Sequence, residues 1–333
     1  MKILVTGGAG FIGSNLLLYL HEKYPHVQLL NIDKLGYASD LSYLEDIKKS
    51  NRYTFKKLDI VDRDAVRDII RSYQPEGVFH LAAESHVDNS IKGPEPFIQS
   101  NMVGTFNLIE ECRQFWKEDD ERWQNNRFLH VSTDEVYGEL GAQGAFSEES
   151  PYAPNSPYSA SKAGSDFIIR SYYHTYGMNV VTTNCSNNFG PHQHDEKLIP
   201  TVIRTALNHD EIPVYGKGEN VRDWLFVREH CRALDLVFND GKSGETYIVG
   251  GNNEWRNIDL VKKICNILND EVGDAPSSDF KDLITFVKDR PGHDFRYAID
   301  ASKIREELGW NSEESFEKRL RETVQWYVRR YRE

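Results

Sequence analysis

The first thirteen residues constrain this chain more than any other stretch. Lys2-Ile3-Leu4-Val5-Thr6 is an apolar run of strand length that leads straight into Gly7-x-x-Gly10-x-x-Gly13, and Ser14 to Tyr24 then reads as a helix. Glycines at such a turn permit positive φ and let backbone and helix N-terminus approach a pyrophosphate closely. The spacing departs from the commoner Gly-x-Gly-x-x-Gly, but a strand before and a helix after select a phosphate-binding turn over an idle loop. The chain is therefore expected to be α/β, with a Rossmann-type, doubly wound parallel sheet.

The alternation continues through the first half. Gln28 to Asp33 reads as a second strand, Tyr53 to Leu58 as a third and Val78 to Leu81 as a fourth. Asp33 lies twenty residues beyond Gly13, where a dinucleotide fold holds the adenosine ribose hydroxyls. A carboxylate there repels a 2′-phosphate and favours NAD over NADP, an argument that the neighbouring Lys34 softens. Asp59-Ile60 forms a plausible edge for the adenine. Ala82-Ala83 is small enough for a cofactor to lie against, and Glu84, Ser85 and His86 follow. His86 is expected to be a hydrogen-bonded structural histidine. Pro94 to Trp116 reads as one long helix containing Ser100, and a further strand precedes Thr133. Gly7, Asp33, Asp59, Ala82 and Thr133 then all fall at carboxyl ends of strands, where open parallel sheets bind ligands.

The second informative stretch runs from Arg127 to Lys162. Its strand turns polar at Ser132-Thr133-Asp134-Glu135, and about twenty residues on Ser156 can cap a helix that Pro157 opens. Tyr158 and Lys162 are then four apart on one helical face. An ammonium at ~4 Å with an effective dielectric of ~20 stabilises a phenolate by roughly 4 kcal/mol before desolvation. That is enough to bring a phenol from about 10 toward neutrality and make it a base. Alone, a Tyr-x-x-x-Lys pair in a chain of 17 tyrosines is a weak signal. Beyond Asn184 the character shifts to polar, turn-rich runs with cationic groups set among aromatic residues, suited to a phosphorylated, partly aromatic ligand. Arg222 and Arg290 can each grip phosphate through two parallel bonds. Glu314 to Arg330 reads as an amphipathic helix that serves packing only.

Composition excludes other classes. A net charge of −12 opposes nucleic acid or an anionic membrane as partner. The four cysteines, Cys112, Cys185, Cys231 and Cys265, are scattered, which suits reduced core residues in a cytoplasmic protein and no metal site. A strand from residue 2 leaves no room for a signal peptide, and no apolar run reaches membrane-span length. With 333 residues, two lobes are expected. Residues 1–184 are expected to form the NAD-binding Rossmann domain, with about 221–250 returning to it, and 185–333 mainly a smaller mixed α/β lobe for substrate.

Thr6-Gly7-Gly8-Ala9-Gly10-Phe11-Ile12-Gly13, Ser132-Thr133-Asp134-Glu135-Val136-Tyr137-Gly138 and Tyr158-x-x-x-Lys162 together resemble the extended short-chain dehydrogenase/reductase superfamily. Within it the chain resembles the dTDP-glucose 4,6-dehydratases over almost its whole length. His80 to Asp88, Asn184 to Asn188, Val221 to Leu225 and Asp289 to Asp294 carry the likeness further. The resemblance implies NAD as a retained cofactor, dTDP-glucose as substrate and a homodimer built on the Pro94–Trp116 and Ser156–Tyr176 helices. It implies catalysis by Thr133, Asp134, Glu135, Tyr158 and Lys162. Tyr158, with Lys162 and Thr133, takes the 4-hydroxyl proton, Glu135 the C5 proton, and Asp134 protonates the departing 6-hydroxyl. Expected on the cofactor are Gly7, Gly10, Phe11, Ile12 and Gly13, then Asp33, Lys34, Leu35, Asp59 and Ile60. Leu81, Ala82, Ala83, Ser100 and Asn188 join them, with Tyr158 and Lys162. Expected on the substrate are Glu84, Ser85, Thr133, Asn187, Lys197 and Leu198, with Pro213, Tyr215, Arg222, Asn257, Arg290, His293 and Tyr297 from the second lobe. A 4-epimerase or UDP-glucuronate decarboxylase would share the NAD site but needs no acid pair after Thr133. An inactive NAD-sensing regulator would need neither that pair nor Tyr158 and Lys162.

Overall fold

The computed structural model describes residues 1–273, 275, 279–289 and 294–332. The first six strands are β1 (Lys2–Thr6), β2 (Gln28–Asp33), β3 (Tyr53–Lys57), β4 (Gly77–His80), β5 (Arg127–Thr133) and β6 (Val180–Cys185). After β7 (Asn187–Phe189), β8 (Ile212–Tyr215) and β9 (Val221–Phe226), the strand β10 (Thr246–Val249) returns to pair with β6. The resulting sheet has the order β10-β6-β5-β4-β1-β2-β3, with parallel pairings throughout. Strand order reverses between β1 and β4, so the ligand crevice of a doubly wound sheet opens there.

Strands covered on both faces read as unbroken apolar runs, and Ile3, Leu4 and Val5 are all buried. One face packs against Leu16, Leu17 and Leu20 of the helix Phe11–Lys23 and against Leu234 and Val237 of the helix Val227–Asp240. The other packs against Val66 and Ile70 of Arg63–Tyr73, Leu108 and Cys112 of Thr105–Trp116, and Ile169 of Pro157–Tyr176. Ser156 and Ser159 close a capping box at the start of Pro157–Tyr176, and Gly177 ends it at φ +68°.

The run from Pro94 to Trp116 is not one regular helix. Ile98–Gly104 forms a π-helical turn before the α-helix resumes at Thr105. Such wide turns concentrate at functional sites. Here the turn buries Ser100 and Asn101. Asn101 accepts from Glu84 N at 2.8 Å and donates to Glu84 O at 3.0 Å, which fixes the chain just past β4.

A second core gathers Ile199, Val202 and Ile203 of the helix Leu198–Leu207, Val261, Ile264 and Leu268 of Asn257–Glu271, and Leu320 and Val324 of Phe316–Arg332. Beside it β9 pairs with β7 and with β11 (Glu254–Arg256), and β8 pairs with β12 (Ile284–Val287). The C-terminal helix does more than pack. Tyr327 donates its hydroxyl to Gln193 O and Tyr331 to Asp195 Oδ1, both at 2.5 Å, which anchors the segment after β7.

Candidate active site

At the β1 turn Gly7 adopts φ +70°, and a Cβ there would stand 2.8 Å from Ala82 N. A Cβ on Gly13 would lie 2.2 Å from Gly7 O. Backbone thus occupies the space that any side chain would take. Gly10 caps the helix Phe11–Lys23 without a side chain, so the first-turn N–H groups face the crevice with the positive end of the helix dipole. Asp33, at the end of β2, is buried and accepts from Ala9 N at 3.0 Å, Leu35 N at 2.7 Å and Ser39 Oγ at 2.9 Å. It therefore ties the glycine turn to the loop after β2 and keeps acceptor capacity on Oδ2. A side-chain-free helix N-terminus beside a buried carboxylate at this distance along the chain fits a dinucleotide. Lys34 pairs with Glu84 at 2.6 Å, joining β2 and β4 across the switch point.

Behind this cradle the hydrogen bonds define one tautomer. Thr105 gives its proton to Asn101 O at 2.6 Å, so it accepts from His80 Nε2 at 2.8 Å. His80 Nδ1 then accepts from Thr6 Oγ1 at 2.7 Å, whose oxygen receives Leu81 N and Ala82 N. Burial, aided by His130 and Lys162, holds His80 well below the usual range, so it stays neutral.

The catalytic candidates cluster where β5 ends. Thr133 caps the short 3₁₀ turn Asp134–Tyr137, accepting from Glu135 N and donating to Asp134 Oδ1, each at 3.3 Å. Asp134 is 2% exposed and its Oδ2 has no hydrogen-bond partner. Burial first, then the charges of Glu135 and Asp223, push its carboxyl well above the ordinary range, against Arg222 and the Thr133 hydrogen bond. Asp134 is thus biased toward its protonated form, with one oxygen unpartnered.

The expected lowering of the Tyr158 phenol is corrected. Burial, then the Glu135 charge, hold it well above its ordinary value, against the Thr133 hydrogen bond that lowers it. Lys162 stands one turn along the same helix. Its ammonium donates to Val131 O at 2.9 Å, and burial holds its own pKa down while Asp166 and then Cys185 oppose that. The helical spacing puts the two residues on one face, and Val131 O holds the ammonium there.

A cavity of ≈ 330 Å³ runs along this edge. It is lined by all five catalytic candidates and, at the cofactor end, by Gly7, Gly10 to Gly13, Asp33, Lys34, Asp59, Ile60, Leu81 to Ala83, Ser100 and Asn188. Glu84, Ser85, Asn187 and Lys197 also line it. Leu35 (φ +60°) reaches the site only through its N–H to Asp33. Leu198 begins a helix, Pro213 and Tyr215 lie on β8, and Asn257 opens another helix, all outside the lining. Arg222 is buried and donates to Val221 O at 2.7 Å and Asp294 O at 2.8 Å, with its guanidinium 4.3 Å from the Tyr297 ring. Tyr297 donates to Asp294, and burial and the Glu135 charge hold its phenol high. Arg290 and His293 lie outside the described residues.

The sequence reading passed over Tyr37, His194 and Glu196, which also line the cavity. Glu196 accepts from Tyr37 OH at 3.0 Å and pairs with His86 Nε2 at 3.3 Å, with His194 Nδ1 at 3.8 Å. Only the position of Glu196 beside Lys197 could have marked it.

The family model of the GDP-mannose 4,6-dehydratases matches residues 4–323. A dTDP-glucose 4,6-dehydratase of Salmonella typhimurium is 52% identical over 338 residues, covering 98% of this chain and 93% of that protein. The crystal structure of a dTDP-glucose 4,6-dehydratase from Bacillus anthracis in complex with NAD superposes with a TM-score of 0.87 at 42% identity, covering 99% and 97% of the two chains. A UDP-glucose 4-epimerase from Thermotoga maritima, solved with UDP-glucose, reaches 0.86 at 26% identity with 99% of each chain covered. The two enzymes share one fold, so the backbone alone does not separate dehydration from epimerisation.

Proposed function

The chain belongs to the GDP-mannose 4,6-dehydratase family, and on that premise we propose that it is an NAD-dependent hydro-lyase converting dTDP-glucose to dTDP-4-keto-6-deoxyglucose and water. The observation that carries this over an epimerase is Asp134, buried, with its carboxyl pushed well above the ordinary range and one oxygen unpartnered, next to Glu135 at the end of β5. Epimerisation at C4 asks for no such proton donor. Elimination of the 6-hydroxyl does.

Gly7 to Gly13 would hold the pyrophosphate, Asp33 the adenosine ribose and Ala82-Ala83 one flank of NAD. Bound NAD supplies the oxidant for C4 and returns the same reducing equivalent to C6, so the reaction has no net redox change. Tyr158 accepts the 4-hydroxyl proton, with Thr133 as its hydrogen-bond partner. Because Glu135 opposes that charge, Lys162 on the same helix is needed to offset it. The new 4-ketone acidifies C5–H, and Glu135 removes that proton. Asp134 gives its proton to the departing 6-hydroxyl, which leaves as water. Two adjacent acids can work in opposite protonation states because their environments differ, and burial is what distinguishes Asp134. The alkali-dependent absorbance of a 4-keto sugar, followed with dTDP-glucose and UDP-glucose in parallel, tests the reading. No keto product from either would refute it.

We also propose a homodimer formed through the two helices that carry exposed apolar side chains. Val103 and Phe106 stand out on one, and Phe167, 58% exposed, on Pro157–Tyr176. A cytoplasmic site of action is supported by four buried cysteines without disulfide partners. Among the described residues no helix is long and apolar enough to cross a membrane.

A further inference from the structure

Asp166 is a buried carboxylate that the reaction as assigned does not use. It stands one helical turn beyond Lys162, 4% exposed and outside the cavity lining. Ser132 Oγ donates to its Oδ2 at 2.8 Å and Tyr152 OH to the same oxygen at 2.9 Å. His130 Nε2 lies 3.1 Å from Oδ1, and Asn184 Nδ2 lies 3.4 Å from Oδ2.

Two of these partners, His130 and Ser132, flank Val131 on β5, and Val131 O is the acceptor of the Lys162 ammonium at 2.9 Å. Strand alternation turns both flanking side chains to one face, toward the helix Pro157–Tyr176. Asp166 therefore grips β5 on both sides of the carbonyl that holds Lys162. His130 cannot share the cationic role. Ser165 Oγ gives its proton to Lys162 O at 2.7 Å, which leaves His130 Nε2 as the donor to Asp166. His130 Nδ1 has no partner, and burial, then Lys162, hold the ring well below its usual pKa. The close contact is a hydrogen bond from a neutral ring, not an ion pair. Lys162 is the cation this carboxylate serves.

We propose that Asp166 is a positioning residue of the active site, clamping His130 and Ser132 so that Val131 O fixes Lys162, and supplying the negative charge that stabilises the buried ammonium. The proposal rests on the reading of Lys162 as the cation that supports Tyr158. Burial pushes the Asp166 carboxyl up to about 6, against the opposing effects of Lys162, Ser132, Tyr152 and Asn184. The other titratable groups facing the pair are His80 on β4, Cys185 on β6, and Tyr137 after β5.

The test compares full-length wild type with Asp166→Asn and Tyr152→Phe. Asp166→Asn should lower kcat about 10–10²-fold, the scale of a misplaced catalytic group. KM for dTDP-glucose should not change, because Asp166 does not line the cavity. Without the carboxylate the ammonium is less favoured, so the alkaline limb of the kcat profile moves to lower pH. Tyr152→Phe keeps the charge but removes a hydrogen bond that favours it, so the acid limb moves to higher pH. In the unliganded protein, native Asp166 keeps a proton that the unfolded chain releases near pH ~3.9. Wild-type melting temperature should therefore fall relative to Asp166→Asn as pH rises from about 4 toward 6. Limbs that move in opposite directions support the proposal. Unmoved limbs in both variants, or an unchanged kcat in Asp166→Asn, overturn it. Should Asp166→Asn not fold, Tyr152→Phe decides. If wild type forms no keto sugar, the functional reading has failed, and the melting series still judges Asp166.

Discussion

Replacing Asp134 by Asn should make the protein more stable and far less active at neutral pH. The carboxyl is 2% exposed with Oδ2 unpartnered, and burial and its acidic neighbours hold it protonated well above the ordinary range. An unfolded chain releases that proton above pH ~3.9. Below that value both states are protonated, and the carboxyl adds no pH dependence. Above it the native state holds a proton that the unfolded state has lost, so wild-type stability falls as pH rises, until the folded carboxyl itself ionises. The slope is about 1.4 kcal/mol per pH unit while the native group stays protonated. Asn has the same shape and no proton to hold. The gap between variant and wild type in urea unfolding should therefore widen across that interval. The same exchange removes the proton donor, which typically costs 10²–10⁴-fold, or roughly 3–5 kcal/mol of barrier. Dehydration should slow accordingly, while binding of dTDP-glucose and NAD is kept. A stability gap that stays flat from pH 5 to 7 would show Asp134 ionised in the native protein. Wild-type turnover in the variant would remove it from the mechanism.

Tyr158→Phe should suppress the reduced-nicotinamide absorbance in a single turnover, whereas Glu135→Gln should let it accumulate, because oxidation then outruns elimination. If both variants behave alike, the division of labour between them is wrong. Asp33→Ala removes the acceptor of Ala9 N and Leu35 N as well as a ribose ligand. NAD affinity by calorimetry should drop by roughly 1.5–3 kcal/mol, about 10- to 150-fold. Gly13→Ala would put a Cβ 2.2 Å from Gly7 O, so NAD binding should be lost with little change in circular dichroism. Phe167→Asp should yield monomers in sedimentation at micromolar concentration, and a dimer that persists would move the interface elsewhere.

Much of the site could be read from the chain because its parts are local. The turn Gly7 to Gly13 needs only the strand before it and the helix after it, and the Ser156-Pro157 helix start is written in adjacent residues. Strand ends follow from apolar runs, and parallel pairing brings Asp33, Ala82 and Thr133 to one edge whatever else the fold does. Chemistry that depends on through-space surroundings was not legible. Tyr158 and Lys162 have the right spacing, yet burial with Glu135 reverses the expected effect on the phenol. The π turn at Ile98–Gly104 follows no sequence period. Glu196 meets Tyr37 across 159 residues, and Asp166 collects donors from β5, β6 and the loop between them. A local motif is set by bond geometry over a few residues. A proton's affinity is set by how much water is excluded and which charges stand nearby, and only the packed chain brings those together.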